Sequence, residues 1–393
     1  MPDKPRTEPG VDPGAYRAVA LSTPETGEEE WLALREPLES GWLTQGPKVA
    51  QFEAAFAERH QAKHAVATTS GTTALHLAML VLGIGPGDEV IVPALTWVAT
   101  ANVVVYTGAK PVFVDVDPQT YNLDVEQLGQ SLTARTRAVI AVHLFGLCAN
   151  LDALKAVLPN SVAIVEDAAC AAVAAYNGKP PGALGLLACF SFHPRKSITT
   201  GEGGMLTTDD PQLAELARAY RNHGAMASRE ILQLGPAPHR LPAIDLLGFN
   251  YRMSDLQAAI GLVQLGKLDR YIDERSRWAD WYSQKLSAIP WLNVPQSPAG
   301  YRHAWQAYVT MVNEDLAPAS RNAIMEILQA HGIGTRPGTH AVTDLGYYRQ
   351  QHGTKNSHCP VATRIEQKSM ALPLHNRMTR EDFEHVVRIL RGV

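Results

Sequence analysis

The chain has 393 residues, of which 46% are hydrophobic and 19% are charged, and its formal net charge is −4 at pH 7. A chain of this length is long enough for two domains with sizeable apolar cores. The mildly acidic balance excludes a basic footprint for nucleic acid, and no apolar run approaches the roughly 18 residues of a membrane span.

Cysteine usage and the first residues of the chain both indicate a cytoplasmic protein. The four cysteines show no metal-ligand spacing and are expected to be free thiols, with no metal bound. Residues 1–18 are polar and rich in proline, which predicts a disordered lead-in rather than a signal peptide. We therefore expect a soluble protein that works in the reducing cytoplasm.

Predicted strands and helices alternate along the first part of the chain. Short apolar runs predict strands at residues 65–68, 89–93, 111–116, 139–144 and 162–165. Apolar positions at helical spacing predict helices at residues 28–39, 74–82, 124–132, 151–158 and 212–221. This alternation predicts an α/β fold in which helices cover both faces of a mostly parallel sheet.

The first of these strands is followed by a turn of small residues, Ser70 to Thr73. A strand, a small-residue turn and a helix N-terminus form an anion site, because unpaired amides and the positive end of the helix dipole face the ligand. Capping of the helix by Ser70 or Thr72 explains the same residues equally well. The turn alone leaves both interpretations open.

The strand over residues 162–165 ends in Glu166 and Asp167. A carboxylate at the carboxyl end of a strand in an open α/β sheet faces the crevice where ligands bind. His143 lies in the preceding apolar strand and is predicted to be a satisfied core histidine.

The stretch from Phe190 to Thr208 carries the clearest chemical signal. Its β-like run ends at His193, a single lysine (Lys196) follows in a polar turn, and a glycine-rich segment leads into another strand. Dense glycines permit positive φ and close approach to a bound group. Most lone lysines are exposed and inert. An aspartate for a pyridinium nitrogen and a lysine for an aldehyde are, however, the pair that pyridoxal phosphate requires, which Asp167 and Lys196 provide.

The C-terminal part predicts a second, smaller α/β domain. Its elements are a bridging helix at residues 267–286, an alternating strand at 305–312 and helices at 320–331 and 381–390. We place the large domain at residues 19–250 and the smaller one at 251–393.

Two segments together resemble the DegT/StrS-type nucleotide-sugar aminotransferases, a branch of the aspartate aminotransferase superfamily. They are EDAACAA, from Glu166, and CFSFHPRKSITTGEGGM, from Cys189, and the likeness extends from about Leu21 to the C-terminus. The resemblance implies fold type I, with a large seven-stranded-type sheet domain and a smaller C-terminal domain. It also implies a homodimer with shared active sites that uses pyridoxal 5′-phosphate.

The implied reaction moves an amino group from an amino acid, expected to be L-glutamate, to a nucleotide-linked keto-deoxysugar in amino-sugar and polysaccharide biosynthesis. A keto-cyclitol is the alternative acceptor. The same fold would also suit a sugar dehydratase, which carries histidine in place of the lysine, or a non-catalytic sensor. Lys196 argues against the dehydratase, and Lys196 with Asp167 argues against the sensor.

The resemblance assigns roles residue by residue. Lys196 is the catalytic residue and holds the cofactor, and Asp167 pairs with the ring nitrogen. The remaining cofactor contacts are Gly71 and Thr72 through their amides, Ser191 through its hydroxyl, Trp97 by stacking, Cys170 near the phenolic oxygen and Asn250 from the other subunit.

Several of these assignments keep a structural alternative. Core packing is the structural alternative for Trp97, and a helix-capping role is the alternative for Asn250. Cys170 departs from the glutamine or histidine usual at its position, and a thiol is a poor hydrogen-bonding group. The implied substrate residues are Thr44, Arg336 and His340, for which a purely structural loop role is the alternative. Thr343 departs from the family pattern, because the family frequently has histidine at that position.

Overall fold

The computed structural model describes residues 18–225, 239 and 241–393, so the predicted lead-in lies, except for its last residue, outside the described residues. In chain order, helices α1 to α13 span Glu28–Ala33, Arg35–Ser40, Pro47–Arg59, Gly71–Val81, Ala99–Tyr106, Val125–Ser131, Leu151–Val157, Pro211–Arg221, Asp255–Leu286, Arg321–Ala330, Gly346–His352, Pro360–Lys368 and Arg380–Gly392. Strands β1 to β14 span His64–Thr68, Glu89–Pro93, Leu95–Thr96, Lys110–Val114, Thr136–Val142, Ala163–Asp167, Ala175–Tyr176, Leu187–Ser191, Gly204–Thr208, Leu292–Asn293, Tyr301–Arg302, Tyr308–Val312, His340–Ala341 and Ser369–Leu372.

The main sheet has seven strands in the order β1-β9-β8-β6-β5-β2-β4. From β8 to β4 all neighbours are parallel, whereas β9 runs antiparallel to both β1 and β8. The predicted α/β fold with a mostly parallel sheet is therefore confirmed. Its parallel strands place the carboxyl ends of β5, β6 and β8 along one edge.

Strand periodicity builds a core on each face of this sheet. Along β5, Val139 and Ala141 pack into the cluster that contains Phe52 of α3, whereas Ala138 and Ile140 pack into the opposite cluster beneath α4 and α5. Because successive side chains of a strand point to opposite faces, a strand buried on both sides reads as a continuous apolar run.

The C-terminal part contains a three-stranded antiparallel sheet in the order β10-β12-β14. Helix α9 connects its core to that of the main sheet, since Leu268 and Ile272 pack in one cluster and Tyr282 and Leu286 in another. The predicted bridging helix is the second part of this 32-residue helix. The domain boundary after residue 250 stays a prediction.

Two predicted elements differ from the structure. The predicted helix at residues 28–39 is interrupted at Leu34, because Pro37 has no amide hydrogen and its ring disfavours a helical carbonyl four residues earlier. The predicted strand at residues 305–312 begins only at Tyr308, because Trp305 adopts a φ of 46° and the next amide donates to the carbonyl of Phe145. Within the described residues, no helix combines the length and apolar character needed to cross a membrane.

Candidate active site

A cavity of about 470 Å³ lies at the carboxyl edge of the parallel strands. Its walls come from the turns after β1, β3, β5, β6 and β8 and from the segment before β13. The predicted site residues that line it are Gly71, Thr72, Trp97, Asp167, Cys170, Ser191, Lys196 and Arg336. Thr44, Asn250 and His340 lie outside its lining.

Asp167, the last residue of β6, places a buried carboxylate at the cavity. Its Oδ2 accepts a 2.8 Å hydrogen bond from the Thr100 hydroxyl, and its Oδ1 accepts one of 3.2 Å from the amide of Ala169. These two bonds fix the orientation of the carboxylate. Thr100 carried no sequence signal, because α5 brings it to Asp167 only in the folded chain.

Lys196 lies in the turn after β8, where its amide donates to the carbonyl of His193. Its side chain is half-buried, and Nζ donates to the sulfur of Cys170 at 3.2 Å. The alternative of a freely solvated turn lysine therefore does not hold. Cys170 is also half-buried, unlike the other three cysteines, whose burial raises their thiol pKa values.

The N-terminus of α4 also borders the cavity, and it offers hydrogen-bond donors where Asp167 offers a carboxylate. Ser70 caps the helix, accepting from the Thr73 amide at 3.1 Å while its own amide donates to the Thr73 hydroxyl at 3.0 Å. The first amides, of Gly71 and Thr72, have no acceptor within the helix. The capping and anion-site interpretations are thus compatible, because they use different groups.

Glycine is required where α4 meets β8. A Cβ on Gly71 would lie 2.8 Å from the Cβ of Ser191, and one on Gly204 would lie 2.3 Å from the carbonyl of Ser70. The close approach predicted for the glycine-rich segment is therefore made to the backbone at Ser70. Glu202 is the residue of that segment that lines the cavity, and Gly204 is the glycine that lets β9 approach the start of α4.

His143 is the satisfied core histidine that the sequence predicts, although the residue also borders the cavity. The Ala149 amide donates to Nδ1 at 3.0 Å, so Nε2 carries the hydrogen and donates to Glu166 at 2.9 Å. The other oxygen of Glu166 accepts from the amides of Gly182 and Gly185.

Trp97 and His340 meet near the cavity mouth, with ring centroids 5.8 Å apart. Trp97 is 59% exposed, so the core-packing alternative is wrong. His340 is exposed as well, and its Nδ1 lies 3.3 Å from a carboxylate oxygen of Glu366. Thr343, by contrast, is fully buried.

Thr44 and Asn250 are both exposed. The carbonyl of Thr44 accepts from the amide of Asp255, whose carboxylate in turn accepts from the amides of Gly46 and Val49 at the start of α3. The loop around Thr44 is thus tied into the fold. Asn250 forms an isolated backbone bridge with Asn222.

The cavity also includes residues that the sequence did not single out: His193, Arg195, Glu202 and Gln306. The first three lie inside the stretch around Lys196, so the sequence could have pointed to them. The sequence could not have pointed to Gln306, because its Nε2 reaches the carbonyl of Arg195 at 2.7 Å across a long sequence separation.

The residues present fit pyridoxal 5′-phosphate. The free amides of α4 and the Ser191 hydroxyl suit a phosphate. The buried carboxylate of Asp167 suits a pyridinium nitrogen, and the Lys196 amine suits an aldehyde.

Residues 24–391 match the DegT/DnrJ/EryC1/StrS aminotransferase family. The spore coat polysaccharide biosynthesis protein SpsC of Bacillus subtilis (strain 168) is 40% identical over 377 residues, 95% of this chain and 97% of SpsC. The GDP-perosamine synthase of Caulobacter vibrioides is 38% identical over 378 residues, which cover 95% of this chain and 98% of the synthase.

Solved structures give the same result. The PLP-form of the putative sugar aminotransferase Spr1654 from Streptococcus pneumoniae has a TM-score of 0.88 and 28% identity, covering 96% of this chain and 98% of that one. A PMP-form of Spr1654 superposes with the same TM-score of 0.88.

Proposed function

This chain belongs to the DegT/DnrJ/EryC1/StrS aminotransferase family, and from that premise we propose that it moves the amino group of L-glutamate to a nucleotide-linked keto-deoxysugar. Membership makes it a sugar aminotransferase with pyridoxal 5′-phosphate as cofactor. The observation that carries the proposal is one cavity lined by Lys196, Asp167 and the first amides of α4.

The cofactor residues have distinct tasks in this proposal. The amides of Gly71 and Thr72 and the hydroxyl of Ser191 bind the phosphate, and Trp97 covers one face of the ring. Asp167, held by Thr100 and the Ala169 amide, keeps the ring nitrogen protonated. When bound, the cofactor supplies an electron-accepting ring that lets the donor's Cα lose a proton.

Lys196 has two roles at one atom. Its Nζ holds the cofactor before the donor arrives, and as a free amine it then removes the proton from the donor's Cα. The half-buried turn holds Nζ in the cavity, with Cys170 as its hydrogen-bond acceptor. Cys170 replaces a stronger hydrogen-bonding group, so we expect it to tune rather than to carry the reaction.

Two relatives support a nucleotide-linked acceptor in polysaccharide synthesis. One is named for a GDP-linked amino sugar and the other for spore coat polysaccharide biosynthesis. The four free thiols agree with a cytoplasmic location. The keto-cyclitol acceptor stays as the alternative.

A homodimer with shared sites is also part of the proposal. Asn250 is exposed and outside its own chain's cavity lining. Just before it in sequence, Leu241, Ile244 and Leu247 are 75%, 61% and 89% exposed. In this proposal these apolar side chains belong to the subunit interface, where a second copy brings Asn250 to the neighbouring cofactor phosphate.

The test separates the half-reactions. L-glutamate alone should convert the holoenzyme to its amine-carrying form, with loss of visible absorbance and release of 2-oxoglutarate. A panel of keto-sugar nucleotides and keto-cyclitols should then identify the acceptor that restores the absorbance. If wild-type protein releases no 2-oxoglutarate, L-glutamate is not the donor. If only a keto-cyclitol restores the absorbance, the acceptor is not a nucleotide-linked sugar.

A further inference from the structure

Two threonine hydroxyls lead to the buried carboxylate of Asp167. Thr96, the last residue of β3, and Thr100, in the first turn of α5, are both fully buried and both border the cavity. Their hydroxyl oxygens are 2.9 Å apart, and the Thr100 oxygen is 2.8 Å from Oδ2 of Asp167. We call Thr96, Thr100 and Asp167 together the hydroxyl chain.

The direction of both hydrogen bonds follows from the charge of Asp167. An ionised carboxylate only accepts hydrogen bonds, and a hydroxyl has a single hydrogen to donate. Thr100 therefore donates to Asp167, and its oxygen is left as an acceptor. Thr96 must then donate to Thr100, so both hydroxyl dipoles point towards the carboxylate. Hydrogen bonds aligned in this way polarise and strengthen one another in a buried site.

Asp167 has no cationic partner of its own. Among the residues that the structure describes, no lysine, arginine or histidine forms an ion pair with its carboxylate, whose donors are the Thr100 hydroxyl and the Ala169 amide. The adjacent Glu166 differs, because His143 and two backbone amides donate to it. A buried carboxylate without a cation is costly. The charge of Asp167 therefore depends on these few donors and on a cationic ligand.

The fold holds the first member of the hydroxyl chain in place. Strand β3 pairs antiparallel with β13, so Thr96 stands opposite His340. A buried, β-branched side chain such as that of Thr96 has little rotational freedom. In the described part of the protein its hydroxyl bonds only Thr100. Orienting the Thr96 hydroxyl towards Thr100 therefore breaks no competing hydrogen bond.

We propose that Thr96 is a positioning residue that acts through Thr100: it stabilises the ionised form of Asp167 and so keeps a proton on the cofactor's ring nitrogen rather than on the carboxylate. This inference goes beyond the proposed donor and acceptor and rests only on the proposed role of Asp167. Without the Thr96 hydroxyl, the carboxylate is less well stabilised and competes more strongly for the proton. A ring without that proton is a weaker electron acceptor.

The position of this proton is measured without turnover, by NMR of the holoenzyme carrying cofactor with an isotope-labelled ring nitrogen. Asp167→Ala provides the reference signal of an unprotonated ring. Thr96→Val keeps the shape of the side chain and removes the hydroxyl, and it should move the wild-type signal towards that reference. Thr96→Ala should act in the same direction, and Thr100→Val should move the signal further. Thr96→Ser keeps the hydroxyl and should give the wild-type signal.

Turnover shows whether Thr96 acts through Thr100. Thr96→Val should lower kcat about threefold with little change in KM, and Thr100→Val should lower kcat about tenfold. The double variant should lose no more than Thr100→Val alone, because the Thr96 hydroxyl then has no acceptor to act on. Thr310→Val is the matched control, since the buried Thr310 hydroxyl donates to the carbonyl of Met370 at 2.9 Å and lies outside the cavity lining. It should leave kcat and the ring signal unchanged.

A wild-type ring signal in both Thr96→Val and Thr96→Ala would overturn the proposal and leave the role of Asp167 intact. A loss in the double variant equal to the product of the two single losses would show that Thr96 does not act through Thr100. If Asp167→Ala itself leaves the ring nitrogen protonated, the proposal and the role of Asp167 in the proposed function are both refuted. An error in the proposed donor or acceptor changes none of the NMR results, because no substrate is present.

Discussion

The floor of the cavity and its rim are held in different ways. The floor (Asp167, Ser191 and Lys196) belongs to the ends of β6 and β8 or to the turn that follows β8, inside a sheet buried on both faces. The rim (Arg195, Gln306 and Arg336) is positioned by contacts between distant segments, such as the Gln306 side chain on the Arg195 carbonyl. We expect the floor to control the rate and the rim to control which substrates bind.

The largest effect is expected from removing the amine of Lys196 in the floor. The Lys196→Ala variant should lose more than about 10⁴-fold in kcat, because it removes the amine that holds the cofactor and moves the proton at the donor's Cα. The measurement is 2-oxoglutarate release, with mass spectrometry of borohydride-treated wild type to locate the cofactor. A covalent label on any other lysine would rule out this assignment.

The next effect concerns the buried carboxylate. The Asp167→Ala variant should retain bound cofactor through Lys196 and the phosphate residues, yet lose about 10³-fold in kcat, because the ring nitrogen loses its charge partner. Absorbance of the purified variant checks retention of the cofactor. Near-normal turnover would mean that Asp167 has only a structural role.

The third prediction asks whether the floor is completed by a second chain. Asn250→Asp should reduce activity by about 10²-fold, because it removes a donor and adds a like charge beside the phosphate. When this variant and Lys196→Ala are unfolded together and reassociated, about half of the dimers should be mixed, each with one intact site. About a quarter of wild-type activity should then return. If mixed dimers form and nothing returns, Asn250 does not act across an interface.

The fourth prediction tests what orients the Asp167 carboxylate in the floor. Thr100→Val keeps the shape of the side chain and removes the 2.8 Å hydrogen bond to Asp167. We expect about a tenfold fall in kcat with little change in KM. Thr107→Val is the matched control, since among the described residues its hydroxyl bonds only the carbonyl of Val104 at the end of α5. An equal loss in both variants would point to general destabilisation of α5.

The smallest effect is expected at the rim. Gln306→Ala frees the Arg195 carbonyl and should raise KM for L-glutamate about two- to fivefold while kcat stays the same. Gln306→Glu keeps the length of the side chain but removes its donor, and it should behave similarly. A fall in kcat without a change in KM would show that the division between floor and rim is wrong.

The sequence by itself determined the fold class and the floor. Apolar runs without alternation predicted parallel strands buried on both faces, and parallel strands bring their carboxyl ends to one edge. The place of Asp167 was therefore predictable from its strand end, whereas Lys196 was singled out by its pairing with Asp167 and by the family resemblance; the structure places both residues at one cavity.

The tertiary structure decided the rest. Thr100 reaches Asp167, and Cys170 reaches Lys196, through packing that no local pattern encodes. The rim depends on turns in which Phe145 and Trp305 adopt positive φ, which such residues take only where the surrounding contacts hold them. The sequence predicted that the glycines near Lys196 approach a bound group, but in the fold Gly204 approaches the carbonyl of Ser70. Local periodicity specifies strands and helices, whereas contacts between distant segments depend on how those elements pack together.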